Sequence, residues 1–208
     1  MFWRCLVVLL LKPVVDLLTV NKKDKHVTFS VLEFHFTALT ATGKEGPTSN
    51  TGYKGSSLEN VNVTNGLQEW RAPFTGWYYF DMCSASEGDV PDREKKGGKG
   101  ARENGTVHLE GGTELVVLVG QQGFKNFYSV ASGGGGSFVV FVSNSTLLSI
   151  VGGGAGASYS NHGGPGQVGE AEGLKNGTVG QGGLTCVGGN YDPTWNAGPG
   201  GGFRGDGR

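Results

Sequence analysis

Residues 113–120 (TELVVLVG) and 137–142 (SFVVFV), with four glycines at 133–136 set just before the second run, decide how this chain folds. Both runs are short, apolar and rich in β-branched side chains, and glycine bounds them. That combination reads as buried β-strands ending in tight turns. Glycine is the wider theme: it makes up 40 of the 208 residues, 33 of them between Gly97 and Arg208. The average share is about 7%. Each glycine brings extra unfolded-state entropy that folding must overcome. A chain that keeps apolar strands among so many glycines is expected to be ordered, with backbones packed where no side chain fits.

Working outward, residues 26–40 (HVTFSVLEFHFTALT) alternate roughly between apolar and polar, the period of a half-buried strand. A turn is expected at 43–47 (GKEGP), then strands at 58–63 and 66–72, a second turn at 73–76, and an aromatic strand at 77–82 (WYYFDM). Residues 106–110, 113–120, 137–143 and 146–151 complete about eight short strands, and no stretch carries a helical period. The expected fold is all-β, a single domain over 26–208, strand-rich to about 151 and glycine-rich over 152–207. Those later segments are neither collagen, since glycine is not every third residue, nor a flexible linker, since strands, Trp195 and Phe203 interrupt them. Extended chains packed side by side in polyproline-II form fit 157–189 and 198–207.

The formal net charge of −1 offers no electrostatic reason to expect nucleic acid as partner. Charge clusters only at 89–99 (DVPDREKKGGK), where both signs mix as in a solvated loop. Residues 1–20 (MFWRCLVVLLLKPVVDLLTV) resemble a signal peptide, with Arg4 ahead of an apolar run. Lys12, Pro13 and Asp16 interrupt that run and no small-residue cleavage site follows, so a truncated or misassembled beginning is the alternative. Four N-x-S/T sequons, at Asn62, Asn104, Asn144 and Asn176, are candidate N-glycosylation sites and favour a secreted or cell-surface location. In an oxidising compartment Cys83 and Cys186 are a candidate disulfide. The loop it closes, of about 100 residues, gives at most ~4.7 kcal/mol by loop entropy.

Catalytic signatures are missing: no Walker A sequence, nucleophile elbow, zinc-binding spacing or kinase motif occurs. Residues 152–157 (GGGAGA) match a dinucleotide fingerprint, but 158–166 (SYSNHGGPG) cannot supply the helix N-terminus that holds a pyrophosphate. No catalytic residue, cofactor or metal is therefore expected. Residues 204–206 (RGD) form a triplet that integrins bind, although so short a motif recurs by chance.

A set of stretches in order carries a more specific signal. They are 36–48 (FTALTATGKEGPT), 97–101 (GGKGA), 105–107 (GTV), 115–123 (LVVLVGQQG), 133–140 (GGGGSFVV) and 147–155 (LLSIVGGGA). Thr185, Cys186, Trp195 and 200–203 (GGGF) follow. So ordered, residues 34–207 resemble the glycine-rich extracellular domain of the anaplastic lymphoma kinase and leukocyte tyrosine kinase receptor family. The motif residues are Gly43, Gly46, Pro47, Gly97, Gly98, Gly100, Gly120, Gln121, Gln122, Gly123, Gly152, Gly153 and Gly154. The resemblance implies a TNF-like β-sandwich with packed polyglycine helices. It also implies binding of a small secreted cytokine that brings two receptors together and activates an intracellular kinase. Departures are a charged insertion at 87–96 and the lack of a cysteine pair after LVGQQG.

The expected function is an extracellular, cytokine-binding module, either a receptor fragment or a secreted form. Membrane attachment would come only through a C-terminal segment beyond Arg208. A structural glycine-rich matrix or surface protein is the alternative.

Overall fold

A computed structural model describes residues 7–11, 32–43, 45–86, 88–89, 91–124, 131–157, 162–166 and 168. Nine strands stand among them: β1 (Val7–Leu11), β2 (Leu32–Phe36), β3 (Asn62–Thr64), β4 (Leu67–Arg71), β5 (Gly76–Cys83), β6 (Arg102–Leu109), β7 (Glu114–Leu118), β8 (Ser137–Phe141) and β9 (Leu147–Val151). Helix is limited, among the described residues, to two 3-10 turns, Thr51–Tyr53 and Pro91–Arg93. All named pairings are antiparallel, and they give a four-stranded sheet, β2-β1-β5-β6, and a five-stranded sheet, β3-β4-β7-β8-β9. The chain is all-β.

Strand alternation builds one core between the sheets. In β5, Tyr78, Phe80 and Met82 are buried, while Trp77 is exposed and Tyr79 and Asp81 are half-buried. A row of partners crosses the second sheet from Val63 to Gln68, Val117, Val139 and Ser149, all buried. Trp70 links the two layers. Its ring meets Phe34 at 4.9 Å, Tyr78 at 5.8 Å and Phe36 at 6.3 Å, each edge-on, a geometry that the ring quadrupoles favour.

Gln68 is the polar exception in that row, fully buried, and its partners explain why it is tolerated. Its amide nitrogen donates to Thr37 O at 2.8 Å, and its carbonyl accepts from the Tyr53 hydroxyl at 2.6 Å. Thr37 N–H donates in turn to the Tyr53 oxygen at 2.7 Å. The 3-10 turn and the end of β2 are thus pinned to the middle of the second sheet. Tyr53→Phe leaves Thr37 N–H and Gln68 Oε1 unsatisfied, and is expected to lower stability by about 2 kcal/mol.

The same burial raises the Tyr53 hydroxyl pKa above its ordinary 10.0, and burial raises that of Tyr78 as well. A phenol whose pKa is higher folded than unfolded holds its proton longer in the native state. Its stabilisation is full below about pH 10 and is lost as pH rises through the folded value. Urea midpoints should therefore fall on the alkaline side. Tyr53→Phe should make that limb shallower, while Tyr78 still contributes to it.

Several strand boundaries differ from those expected. The strand expected at 26–40 is observed as Leu32–Phe36; 26–31 lie outside the described residues, and Leu39 and Thr40 turn away at φ 48° and 67°. Residues 58–61 belong to successive turns, because Asn50 Nδ2 donates to the carbonyls of Glu59 (2.8 Å) and Val61 (2.9 Å) and holds that backbone out of the ladder. Strand β6 begins at Arg102, four residues before the expected start at 106. Low β-propensity had hidden its Asn104–Gly105 pair, yet Gly105 faces the Phe80 ring so closely that a Cβ would collide with it. The apolar run of the leader contributes β1, paired over five residues with β2 on one side and β5 on the other.

Candidate functional site

The sheets leave the glycine motifs at one end of the second sheet, where the loops after β5, β7 and β9 meet. Hydrogen bonds join these loops backbone to backbone. Gly135 N–H donates to Gln121 O at 2.9 Å, and Ala85 N–H donates to Gly135 O at 3.2 Å. Gly134 N–H reaches Gly154 O at 3.2 Å, and Gly154 N–H reaches Ala85 O at 3.3 Å. On the far side, Ala101 N–H donates to Gly152 O (3.0 Å), Gly98 N–H to Ala155 O (3.3 Å), Ala155 N–H to Gly164 O (2.8 Å) and Gly166 N–H to Lys99 O (2.8 Å). Segments up to about 80 residues apart in sequence thus form one continuous layer.

Glycine is required there by contact. At Gly88, Gly100, Gly120, Gly123, Gly134, Gly153 and Gly166, an added Cβ would stand closer than 3.0 Å to a carbonyl oxygen of the neighbouring segment. Real Cβ atoms do not approach so near, and a backbone carbonyl cannot swing aside. Each contact needs a residue without a side chain on the glycine side, set against a backbone carbonyl of the neighbouring segment.

The 43–47 turn is fastened to the same layer. Gln121 Nε2 donates to Glu45 O at 2.8 Å, and Gly43 adopts φ +93° beside the Phe124 ring. Gly46 packs directly on Gly66, whose N–H donates to Pro47 O at 2.9 Å. Gly97 N–H donates to Asp89 Oδ1 at 3.0 Å, which anchors the charged loop. Gly43, Gly46, Pro47, Gly97, Gly98, Gly100, Gly120, Gln121, Gly123, Gly152, Gly153 and Gly154 all belong to this assembly or its attached turn; the Gln122 side chain is exposed.

Two serines that sequence reading passed over tie the layer to the sheets. Ser137 Oγ accepts from Gly120 N–H at 3.0 Å and donates to Cys83 O at 2.8 Å; Ser84 Oγ donates to Gly152 O. Ser137 had a signal in its position, where a glycine run meets a strand; Ser84 follows the end of β5 with no such mark. Cys83 is half-buried at the end of β5, and Cys186 lies outside the described residues, as do Asn176, Trp195 and residues 200–206. Asn62 and Asn104 are exposed on β3 and β6, and Asn144 is exposed in the turn between β8 and β9.

The dinucleotide-like stretch 152–157 has no free cradle to offer. Gly154 and Ala155 direct their N–H groups to the carbonyls of Ala85 and Gly164, and 162–166 contain no helix. A cleft of about 540 Å³ opens elsewhere, at the edge of the two sheets. Its floor includes Phe34, Trp70 and Leu115, and its rim includes Asn62, Glu69 and the ion-paired Arg71 and Glu114. An apolar floor under a charged, solvated rim suits a protein surface, and nothing in the rim pairs a nucleophile with a base. Among the described residues no three His, Cys, Asp or Glu side chains gather as a metal site would need. No protein-family model matches the chain.

Proposed function

We propose that this chain is an extracellular ligand-binding module, the glycine-rich domain of a receptor of the anaplastic lymphoma kinase and leukocyte tyrosine kinase type. In this reading the two sheets are a TNF-like sandwich, and the glycine layer stiffens one end of it. The ligand is a small secreted, cytokine-like protein that brings two receptors together. Catalysis belongs to an intracellular kinase in the parent protein, and this module contributes none. The sequons and the Cys83–Cys186 pair mark passage through an oxidising, glycosylating compartment.

One observation carries the reading. Five of the stretches on which the resemblance rests, 36–48, 97–101, 115–123, 133–140 and 147–155, meet in or against a single backbone-packed layer. A shared structural role for these stretches would require such a meeting. A stiff platform also suits binding, because a surface ordered beforehand loses little entropy when a partner docks.

The test is direct binding of the family's small secreted cytokines to the secreted chain, immobilised and first shown to melt cooperatively. Saturable binding with a Kd below about 1 μM, equivalent to about −8.2 kcal/mol, is expected. A well-folded preparation that binds none of them contradicts the proposal.

A further inference from the structure

The outer face of the first sheet presents an aromatic and polar strip that the core does not use. Trp77 is 49% exposed and meets His108 edge-on, with centroids 5.4 Å apart. Tyr79 follows on the same face, half-buried, and then Asp81, whose carboxylate accepts from Arg102 Nε at 2.7 Å. That hydrogen bond and the Asp81 charge raise the Arg102 pKa above its ordinary value.

Asn104 stands on this strip. In the β5–β6 ladder it lies opposite Asp81, Thr106 lies opposite Tyr79, and His108 lies opposite Trp77. Asn104 and Thr106 are exposed, while Gly105 between them faces inward onto Phe80. The asparagine and threonine of this sequon therefore share the outer face with Tyr79 and Trp77. Tyr79 is the diagonal neighbour of Asn104, about 7–8 Å away and within reach of a long substituent. Trp77 comes one pleat further, about 6.8 Å along the strand.

We infer that Asn104 carries an N-linked glycan whose first sugars lie along β5, seated on Tyr79 and Trp77. This inference rests on the extracellular reading. Transfer joins Asn104 Nδ2 to C1 of the first sugar of a lipid-linked oligosaccharide. The C1–O bond to the diphosphate breaks, one Nδ2 proton is lost, and the lipid diphosphate leaves. The C–H face of the sugar then packs on the negative π face of the rings, covering apolar surface that water otherwise wets.

The other described sequons lack such a seat. Asn62 Nδ2 donates to Glu69 Oε2 at 2.8 Å, and Asn144 Oδ1 accepts from Thr146 N–H (3.1 Å) and Oγ1 (2.6 Å) within its own turn. Among the described sequons, Asn104 is the one whose register sets aromatic side chains beside it.

The experiment uses the full chain secreted from a cell line that adds N-glycans, with glycopeptide mass spectrometry at each sequon. Asn104 should be occupied. Asn104→Gln should lower Tm by several degrees in the wild-type background and leave it unchanged in a Trp77→Ala, Tyr79→Leu background, which keeps apolar bulk at position 79. Sugar protons of the first residue should also shift upfield in the wild type and lose that shift in the double variant. Equal Tm losses in both backgrounds, with no ring-current shift, overturn the seat. A bare Asn104 beside an occupied Asn62 or Asn144 overturns the inference and leaves the extracellular reading standing. If every sequon stays bare and the chain stays inside the cell, both fail together.

Discussion

Gly153→Ala should lower stability by about 3 kcal/mol or more, at or beyond the upper end of what overpacking normally costs. The added Cβ would stand closer than 3.0 Å to both Gly134 O and Gly135 O. Neither is a flexible side chain, so relief requires the 131–136 segment to part from 152–157. That movement strains the bonds from Gly134 N–H to Gly154 O and from Gly154 N–H to Ala85 O. For a domain of this size each kcal/mol shifts Tm by about 2–4 °C, so a drop of about 6–12 °C is expected. Gly76→Ala is the control, since nothing lies within 4 Å of its added Cβ. It should change stability by no more than about 0.5 kcal/mol. A calorimetric comparison of the two variants separates a packed layer from glycine that is merely abundant.

Trp70→Ala is expected to cost about 3–5 kcal/mol, the range for removing a large buried aromatic side chain. Its ring is 6% exposed and touches Phe34 and Phe36 of β2 and Tyr78 of β5, so it joins the second sheet to the first. The cavity would open between two sheets that are each braced by their own ladders, which limits collapse into it. Urea unfolding should show a lower midpoint, and near-ultraviolet circular dichroism should lose intensity even where the fold survives. Trp70→Phe should keep about half of the lost stability, because a smaller ring still reaches Phe34.

These two sites differ in how openly the sequence announced them. The apolar runs at 113–120 and 137–142 became β7 and β8, and glycine content alone pointed to backbones packed without side chains. The layer's location was less legible. Polyproline-II-type packing is expected at 157–189 and 198–207, which lie mostly outside the described residues; the layer built from Ala85, Ser86, Gly88, 96–101, 120–124, 131–136, 152–157 and 162–166 is the one observed. Spacing along the chain says which residues have no side chain, but the sheets decide which of them face each other.

Within strands, alternation told more than hydrophobicity. In LQEWR the apolar Leu67 is 44% exposed and the polar Gln68 fully buried, because Gln68 shares its face with Trp70. The Tyr53 hydroxyl and the Thr37 carbonyl, both distant in sequence, make that burial tolerable, and no local pattern foretells such partners. The aromatic strand WYYFDM likewise divides between two faces: Tyr78, Phe80 and Met82 fill the core, while Trp77 and Tyr79 form the outer strip. The 1–20 leader was set apart as a targeting segment or a misassembled beginning, and its five-residue run Val7–Leu11 takes an interior place in the first sheet. An apolar run with the length of a strand carries no mark of which of these it serves.

Amide hydrogen exchange at Gly134, Gly135, Gly154 and Gly166 is the measurement that reaches the glycine layer most directly, since each of these N–H groups donates to a backbone carbonyl of another segment. An ordered layer requires protection approaching that of the buried strand residues Val117 and Val139, because all would open only with the core. Exchange at the rate of an unstructured chain, while Val117 and Val139 stay protected, would contradict the layer and with it the platform on which the proposed binding function stands.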